Sequence, residues 1–434
     1  MASTSSASET NSGPKRSDYL TRQEVLEILA IKPQTLYAYV SRGLVRAVPQ
    51  PNKRSSFYLG EDIERIRVRS AARAGFGAVA ANAMQWGEPI ITTSITQITE
   101  AGPRYRNRLA LDLVRAGSSF EAVADFLWEG TWMDQPHGWV APNAPARVIA
   151  QLSQGSTLHK QPHIVQLLIL ALGLLGVAHG GQRERIQSGV TDVILARQAI
   201  RMMAGVLGFL GPKRRFVALR TGEPIAHGLT RVFDIEPSEE VLRALNALLV
   251  LDVDHELTPS TFAARIAASS AADLHACLGA ALNTHHSHIT GNRADKVEEL
   301  FDGRHQAPAI VARVKSLLAS GQRVPGFSHP FYPNGDPRAT MLLALADTLG
   351  RRKRAVRTML DVTSQLQSRF GLNPSFELGS VAICRALGLT AHAGGALRSL
   401  ARSAGWVAHI FEQRLAAFMI RPRARYVVPS HLLT

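Results

Sequence analysis

Long apolar stretches with helical spacing run through most of this 434-residue chain, from about residue 96 to its end. Apolar residues recur there every three or four positions, the spacing that places them on one side of an α-helix. Alternating patterns typical of strands are sparse, apart from short ones near residues 91–106. Hydrophobic residues make up 46% of the chain, which suits two or three domains with sizeable cores. We therefore expect a mainly α protein.

The sequence predicts neither a membrane span nor an export signal. The longest apolar stretch, residues 164–177, is shorter than the ~18 residues of a membrane span, so we interpret it as a buried core helix. Residues 1–18 are polar and lack the apolar centre of a secretory signal, which predicts a disordered tail and a cytoplasmic protein. Cys277 and Cys384 lie in apolar surroundings and are predicted to be small buried side chains.

The charge of the chain is strongly positive, with a formal net charge of +15. Such a charge favours an anionic partner, which could be nucleic acid, a polyphosphate such as coenzyme A, or a carboxylate substrate. Charge alone does not choose among these.

Residues 19–70 read as a small basic module. Thr21 and Glu24 have the spacing of a capping box at the start of a first helix. Pro33 suits the first turn of a second helix, which Gly43 ends. A basic, hairpin-like segment to Tyr58 and a third helix at 61–66 follow.

This order resembles the winged helix-turn-helix of MerR-type regulators and excisionases. The resemblance implies DNA contacts from the second helix and phosphate contacts from the wing. The candidate residues are Lys32, Gln34, Thr35, Tyr37 and Arg42 on the helix and Lys53 and Arg54 on the wing. The alternative is a protein-docking or dimerisation module whose charges are simply solvated.

After a connector at 71–95, the most informative segment is 325–338, which carries His329 and Arg338 nine positions apart. Histidine titrates near neutrality and can donate to an oxygen that gains charge. Arginine binds a carboxylate with two parallel hydrogen bonds. A keto acid has both groups: a ketone oxygen for the histidine and a carboxylate for the arginine.

Five blocks of residues occur in the order typical of citrate synthases, at 119–130, 254–265, 329–338, 404–413 and 420–426. The resemblance covers residues ~96–434. It implies an all-helical homodimer with a large domain at 96–286 and 389–434 and a small domain at 287–388. It also implies an active site in the cleft between the two domains, where acetyl-CoA is joined to oxaloacetate and the citryl-CoA product is hydrolysed.

The same resemblance implies a role for each matched residue. His329 would polarise the oxaloacetate carbonyl, and His255 would bind the substrate. Arg338, Arg402 and Arg421 would bind its carboxylates, with Arg421 reaching across from the other subunit. The other readings are a structural histidine for His255 and solvated surface groups for the arginines.

His288 matches the family histidine that donates to the thioester oxygen. Ile289 and Thr290 stand where the family has glycines that let the backbone approach coenzyme A closely. His285 and His286 are neighbours, but the segment has no carboxylate partner, so no metal is expected there.

Glu377 stands where the family has an aspartate base. Glutamate can remove a proton next to a carbonyl, but its extra methylene shifts the carboxylate by roughly 1 Å, and such misplacement can cost about a hundredfold in rate. Glu377 is therefore either the working base or a remnant at a site retired from chemistry.

Coenzyme A contacts cannot be assigned from the sequence. Pro333 occupies a position that is often basic in the family, and Lys213, Arg214 and Arg215 could supply phosphate contacts instead. We expect an acyl-CoA co-substrate and no permanently bound cofactor.

Three functions remain open on these grounds. The first is a citrate synthase-like acyltransferase with a DNA-binding-like front module. The second is a transcriptional regulator that senses a di- or tricarboxylate with a retired enzyme. The third is a 2-methylcitrate synthase that uses propionyl-CoA.

Overall fold

The computed structural model describes residues 19–29, 31–41, 45, 47–49, 56–60, 62–63, 66, 91–133, 138–160, 163–180, 191–287, 293–302 and 306–422. The chain forms two compact units. One comprises Met1–Thr92 with Arg421–Thr434, and the other comprises Thr93–Ile420.

The first unit combines a small antiparallel sheet with two helices. Its elements are β1 (Tyr19–Leu20), α1 (Arg22–Leu29), α2 (Pro33–Ser41), β2 (Ala47–Pro49) and β3 (Ser56–Leu59), and the strand order is β1-β3-β2. The predicted capping box is confirmed: the Thr21 backbone N–H donates to Glu24 Oε2 at 2.7 Å, and the Glu24 N–H donates to Thr21 Oγ1 at 3.4 Å. Val25, Leu36 and Tyr58 are buried in its core.

The second unit begins with a three-stranded antiparallel sheet, as the short alternating patterns near 91–106 predicted. Its strands are β4 (Thr96–Thr99), β5 (Gly102–Tyr105) and β6 (Arg108–Leu109), in that order.

Helices make up most of the remainder of this unit, which confirms the mainly α prediction. They are α3 (Ala110–Arg115), α4 (Phe120–Glu129), α5 (Ala146–Gly155), α6 (Ile164–His179), α7 (Asp192–Val206), α8 (Ile225–Phe233), α9 (Glu239–Leu251), α10 (Pro259–Ser269), α11 (Leu274–His285), α12 (Arg293–Leu300), α13 (Ala307–Ala319), α14 (Pro337–Gly350), α15 (Arg354–Phe370), α16 (Phe376–Leu387) and α17 (Ala393–Ala416).

Local chemistry sets many helix boundaries. The Ser119 side chain accepts a hydrogen bond from the Ala122 N–H and so begins α4, as its sequence predicted. Asp336 caps α14 in the same way by accepting from the Arg338 N–H. Gly388 ends α16 with a φ of +77°, a conformation that costs glycine little.

The longest helix, α17, runs through the core and carries buried Trp406. It can approach the loop after α9 closely because Gly405 has no side chain; a Cβ there would lie 2.3 Å from the Val253 carbonyl oxygen. Both cysteines are free and buried, as predicted.

The expected core helix at 164–177 is α6, but only one face of it is buried. Leu168 and Leu172 are fully buried, whereas Val177 is 83% exposed. Among the described residues, no helix has the length and apolar content to cross a bilayer.

Candidate active site

Five of the predicted site residues converge in the second unit. They interact with one another, with two further carboxylates and with one further arginine. We call the whole set the arginine–histidine cluster; it comprises His255, His329, Arg338, Arg398, Arg402, Asp252, Asp336 and Glu377. The His255 and His329 rings lie 5.3 Å apart. Arg338 and Arg402 both approach Asp252, at 3.9 and 2.9 Å.

Arg338 is held in a fixed position at the start of α14. Its Nε and Nη2 donate to the two Asp336 carboxylate oxygens at 3.0 and 2.8 Å. Its guanidinium carbon lies 5.4 Å from the centre of the Tyr332 ring and 5.0 Å from that of Phe376. The Asp336 carboxylate and the two aromatic rings together hold the guanidinium in one position.

Arg402 and Arg398 lie one turn apart on α17, on the same helix face. Arg402 donates through Nε and Nη2 to Asp252 Oδ1 at 3.0 and 2.9 Å. Arg398 Nε lies 3.4 Å from Asp252 Oδ2, and its Nη1 donates to Glu377 Oε1 at 2.5 Å. Arg398 and Asp252 were missed in the sequence; the i, i+4 spacing from Arg402 is a signal that could have found Arg398.

Three polar atoms of the cluster are buried without a hydrogen-bond partner in the described part of the chain. They are Arg338 Nη1, Arg398 Nε and Asp252 Oδ2. A buried N–H that donates to nothing is costly. Arg338 Nη1 and Arg398 Nε instead lie 3.9 and 3.4 Å from the Asp252 carboxylate, close enough for an ion pair but without a hydrogen bond.

His329 presents a neutral ring whose Nε2 makes no hydrogen bond with the described residues. Its Nδ1 accepts a hydrogen bond from the Phe331 N–H at 3.2 Å, so the proton of the neutral ring is on Nε2. Burial and the nearby Arg338 guanidinium lower the pKa of His329 to about 4. At neutral pH the ring is uncharged and able to donate.

His255 is a second neutral imidazole, located in the loop between α9 and α10. Its Nε2 lies 3.1 Å from the Tyr332 hydroxyl. Burial, with Arg338 and Arg402 nearby, lowers the pKa of His255 well below its usual value. Burial also raises the pKa of Tyr332 to about 12, so the hydroxyl keeps its proton.

Glu377 lies in the first turn of α16 and is 4% exposed. Ser375 Oγ donates to its Oε2 at 2.7 Å, and Arg293 Nη1 lies 3.8 Å from its Oε1. Burial raises the pKa of the Glu377 carboxyl, but Arg398 and Arg293 outweigh burial and the net pKa is lowered. The carboxylate is thus ionised but, while paired, a weak base.

His285 is a buried histidine that the sequence interpretation did not single out. It is the last residue of α11, and its ring lies 5.4 Å from that of Trp406. Burial and the charges of Arg398 and Arg402 lower its pKa well below the usual value. Within the described residues, no hydrogen bond occupies its ring.

The remaining predicted residues lie elsewhere. His288 is outside the described residues, and Arg421 is exposed and belongs to the first unit. Lys213, Arg214 and Arg215 are all exposed.

The predicted DNA contacts belong to the first unit. Lys32, Gln34 and Tyr37 are exposed there and Thr35 is half-buried, while Arg42, Lys53 and Arg54 lie outside the described residues.

Comparisons with known proteins identify the family of this chain. The family model "Citrate synthase, C-terminal domain" matches residues 83–423. The "Putative citrate synthase 2" of Mycobacterium tuberculosis H37Rv is 32% identical over 200 residues, which are 45% of this chain and 54% of the relative. The "Citrate synthase 2" of Bacillus subtilis is 29% identical over 251 residues, 54% of this chain and 66% of the relative. The match thus spans about half to two thirds of the length of these relatives.

Solved structures share the fold. The citrate synthase of Thermoplasma acidophilum, in a complex with carboxymethyl coenzyme A and oxaloacetate, superposes with a TM-score of 0.67 at 22% identity, covering 79% of this chain and 94% of that one. The Thermotoga maritima citrate synthase gives a TM-score of 0.65 at 22% identity, covering 79% and 95%. Because the family model matches residues 83–423, most of the chain, this protein belongs to the citrate synthase family.

Proposed function

We propose that this protein is an acyltransferase that condenses acetyl-CoA with oxaloacetate to give citrate and free coenzyme A. The observation that carries the proposal is the arginine–histidine cluster, which gathers guanidinium groups and neutral imidazoles in a chain of this family. The T. acidophilum relative was solved with oxaloacetate and a coenzyme A derivative, which supports the same pair of ligand classes here.

Oxaloacetate binding is assigned to Arg338, Arg402, His255 and, from the partner subunit of a homodimer, Arg421. Arg338 and Arg402 already have carboxylate partners in Asp336 and Asp252. The substrate must therefore add to the unused donors, such as Arg338 Nη1, or displace one internal carboxylate. Either way the cluster favours a doubly charged acid over a neutral ketone.

His329 is assigned to the ketone under attack. Its Nε2–H donates a hydrogen bond to the ketone oxygen and stabilises the negative charge that develops there when the new carbon–carbon bond forms. The neutral ring suits this role because the proton is held where the oxygen needs it.

Glu377 is assigned as the base that takes a proton from the acetyl methyl group, and His288 as the donor to the thioester oxygen. Proton removal requires the Glu377 carboxylate to leave Arg398, because the ion pair lowers its basicity. Substrate carboxylates that compete for Arg398 would release it. Water then hydrolyses the citryl thioester to citrate and coenzyme A.

The decisive experiment measures free coenzyme A with a panel of acyl-CoAs and keto acids. We expect thiol release from acetyl-CoA only when oxaloacetate is present. Replacing buried Arg338 by Lys should raise the KM for oxaloacetate strongly, whereas Arg243→Lys, on the exposed side of α9, should change nothing. Release from propionyl-CoA but not acetyl-CoA would favour 2-methylcitrate synthesis instead.

A second candidate function is a sensor of di- or tricarboxylates. The ion pair between Glu377 and Arg398 favours it, because a carboxylate held in this way is a poor base. Oxaloacetate binding in calorimetry without any thiol release would support the sensor and contradict the acyltransferase.

For the first unit we propose a winged helix-turn-helix that binds DNA. What supports it is the order of β1, α1, α2 and the β2–β3 hairpin, together with exposed Lys32 and Gln34 on the second helix or just before it. Affinity for duplex DNA should fall steeply with added salt, and Lys32→Ala should reduce that slope by about one. Absence of duplex binding at low salt, measured by fluorescence anisotropy, would contradict the proposal.

A further inference from the structure

Outside the arginine–histidine cluster, three metal-binding side chains from distant segments meet in the second unit. They are His163 before α6, Asp295 on α12 and His392 before α17, and one potential ligand atom of each lies within 4.8 Å of the others. His392 Nδ1 is 3.1 Å from Asp295 Oδ1, and His163 Nε2 is 3.7 Å from Asp295 Oδ2. From this geometry we propose a binding site for a divalent transition-metal ion of the zinc type.

The distances fit a tetrahedral ion. Zinc bonds to nitrogen and oxygen at about 2.1 Å, which places the ligand atoms of a tetrahedral site about 3.4 Å apart. The two contacts with Asp295, through different carboxylate oxygens, are 3.1 and 3.7 Å long and lie on either side of that value. All three potential ligand atoms lie within 4.8 Å of one another, so the side chains must move closer together to coordinate one ion.

The donor set selects the metal class. Two imidazoles with one carboxylate suit Zn²⁺ and its first-row neighbours, whereas Ca²⁺ and Mg²⁺ prefer oxygen ligands. Three protein ligands leave a fourth position, which water or His286 can fill; the His286 ring lies 4.4 Å from that of His163.

Two features of the histidines support the proposal. His163 Nε2 is buried and has no hydrogen-bond partner in the described part of the chain. His392 adopts the left-handed conformation with a φ of +68°, and its backbone N–H is held by Glu298 at 2.9 Å. Strain of this kind persists where the surrounding structure holds a side chain in place.

The surroundings favour a cation. Asp295 and His392 also line a cavity of about 410 Å³, together with Glu298, Glu299, Asp302 and Arg385. Its four carboxylates outnumber the one guanidinium and so favour cations over anions. The histidines at 285–288 have no carboxylate in their own sequence segment. The fold supplies one, because Asp295 lies beside His163, whose ring is next to that of His286.

Binding has one local cost. His163 Nδ1 accepts the Val165 N–H at 3.3 Å as the cap of α6, so the neutral ring carries its proton on Nε2. Coordination through Nε2 moves that proton to Nδ1 and breaks this long hydrogen bond. A metal–nitrogen bond is much stronger than one such cap.

The test titrates Zn²⁺ into chelator-treated full-length protein by calorimetry and records the visible absorption of the Co²⁺ form. We expect binding at one site per chain and a four-coordinate Co²⁺ spectrum. Asp295→Asn and His392→Asn should each weaken binding at least about tenfold. His163→Asn should do the same, although asparagine can still cap α6.

His227→Gln, an exposed histidine on α8, is the matched control and should bind as the wild type does. Melting temperatures without metal show whether each variant is folded. The proposal is wrong if Zn²⁺ does not bind, or if folded Asp295→Asn and His392→Asn bind it as tightly as the control. Neither outcome depends on acyltransferase activity.

Discussion

At the scale of single residues, the chemistry of this protein depends on how each ionisable group is partnered. Arg338 is paired with Asp336, Arg402 with Asp252, and Arg398 with Glu377. The imidazoles of His255 and His329 are kept neutral by burial and by this positive charge. The cluster therefore combines charged guanidinium groups with uncharged imidazoles.

Glu377→Gln tests the base directly. Glutamine has the same shape but cannot accept a proton from carbon, so kcat should fall by at least about a hundredfold while oxaloacetate binding is retained. The rate of coenzyme A thiol release measures kcat, and calorimetry measures oxaloacetate binding. Glu377→Asp is the control that keeps the carboxylate; equal turnover by Glu377→Gln and the wild type would exclude this residue as the base.

His329 should make stability depend on pH. Its pKa in the folded state is about 4, below the ~6.5 of an unfolded chain, so its contribution is fully present above pH 6.5 and is lost as pH falls towards 4. Between pH 7 and pH 5 the loss should be about 1 kcal/mol, discounted because the ring is partly solvated.

Urea unfolding of the wild type and of His329→Asn at both pH values measures this difference. The variant should lose less stability on acidification than the wild type. An identical pH dependence of the two proteins would show that His329 takes up no proton on unfolding in this range.

At the scale of elements, α17 brings the two halves of the cluster together. Arg398 and Arg402 project from it towards Glu377 at the start of α16 and Asp252 at the end of α9. The helix reaches the loop after α9 because Gly405 allows backbone contact. The position of both arginines thus depends on one close helix–loop approach.

Gly405→Ala tests that approach. The new Cβ would lie 2.3 Å from the Val253 carbonyl oxygen, so α17 must move, and we expect a loss of about 1–3 kcal/mol together with weaker oxaloacetate binding. Gly279→Ala on α11 is the matched control, since nothing lies within 4 Å of its Cβ and alanine favours a helix. Urea unfolding should show the control at least as stable as the wild type.

At the scale of the whole molecule, the proposed site is incomplete without a second subunit. Arg421 lies outside the compact unit that holds the cluster. The proposed homodimer would supply it from the partner. Such sharing would make activity depend on assembly.

Mixing two inactive variants tests the shared site. Arg421→Ala removes one side of each site and His329→Asn the other, so each homodimer should be inactive. After subunit exchange, half of the dimers are mixed and each has one intact site, which should restore about a quarter of wild-type activity. No recovery, with mixed dimers confirmed by tagged pull-down, would show that Arg421 acts within its own chain or not at all.

Sequence reasoning was most successful where structure is decided locally. The caps at Thr21 and Ser119 and the short strands at 96–105 depend on neighbouring residues, and all were predicted. The motif at His329 and Arg338 was also found, because turn and helix-start residues hold the two at a set spacing. Asp252 was missed, because nothing in its own segment distinguishes it from other acidic residues. Arg398 was missed although its i, i+4 spacing from Arg402 is a signal.

The sequence by itself determined the mainly helical class, the family and the types of side chain present in the arginine–histidine cluster. The tertiary structure alone decided the partner of each charge: Arg402 meets Asp252, 150 positions away, and Asp295 meets His163 and His392. The physical reason is that helix propensity and capping act within a few residues. Pairing of buried charges, in contrast, is set by the packing of helices that the chain order leaves far apart.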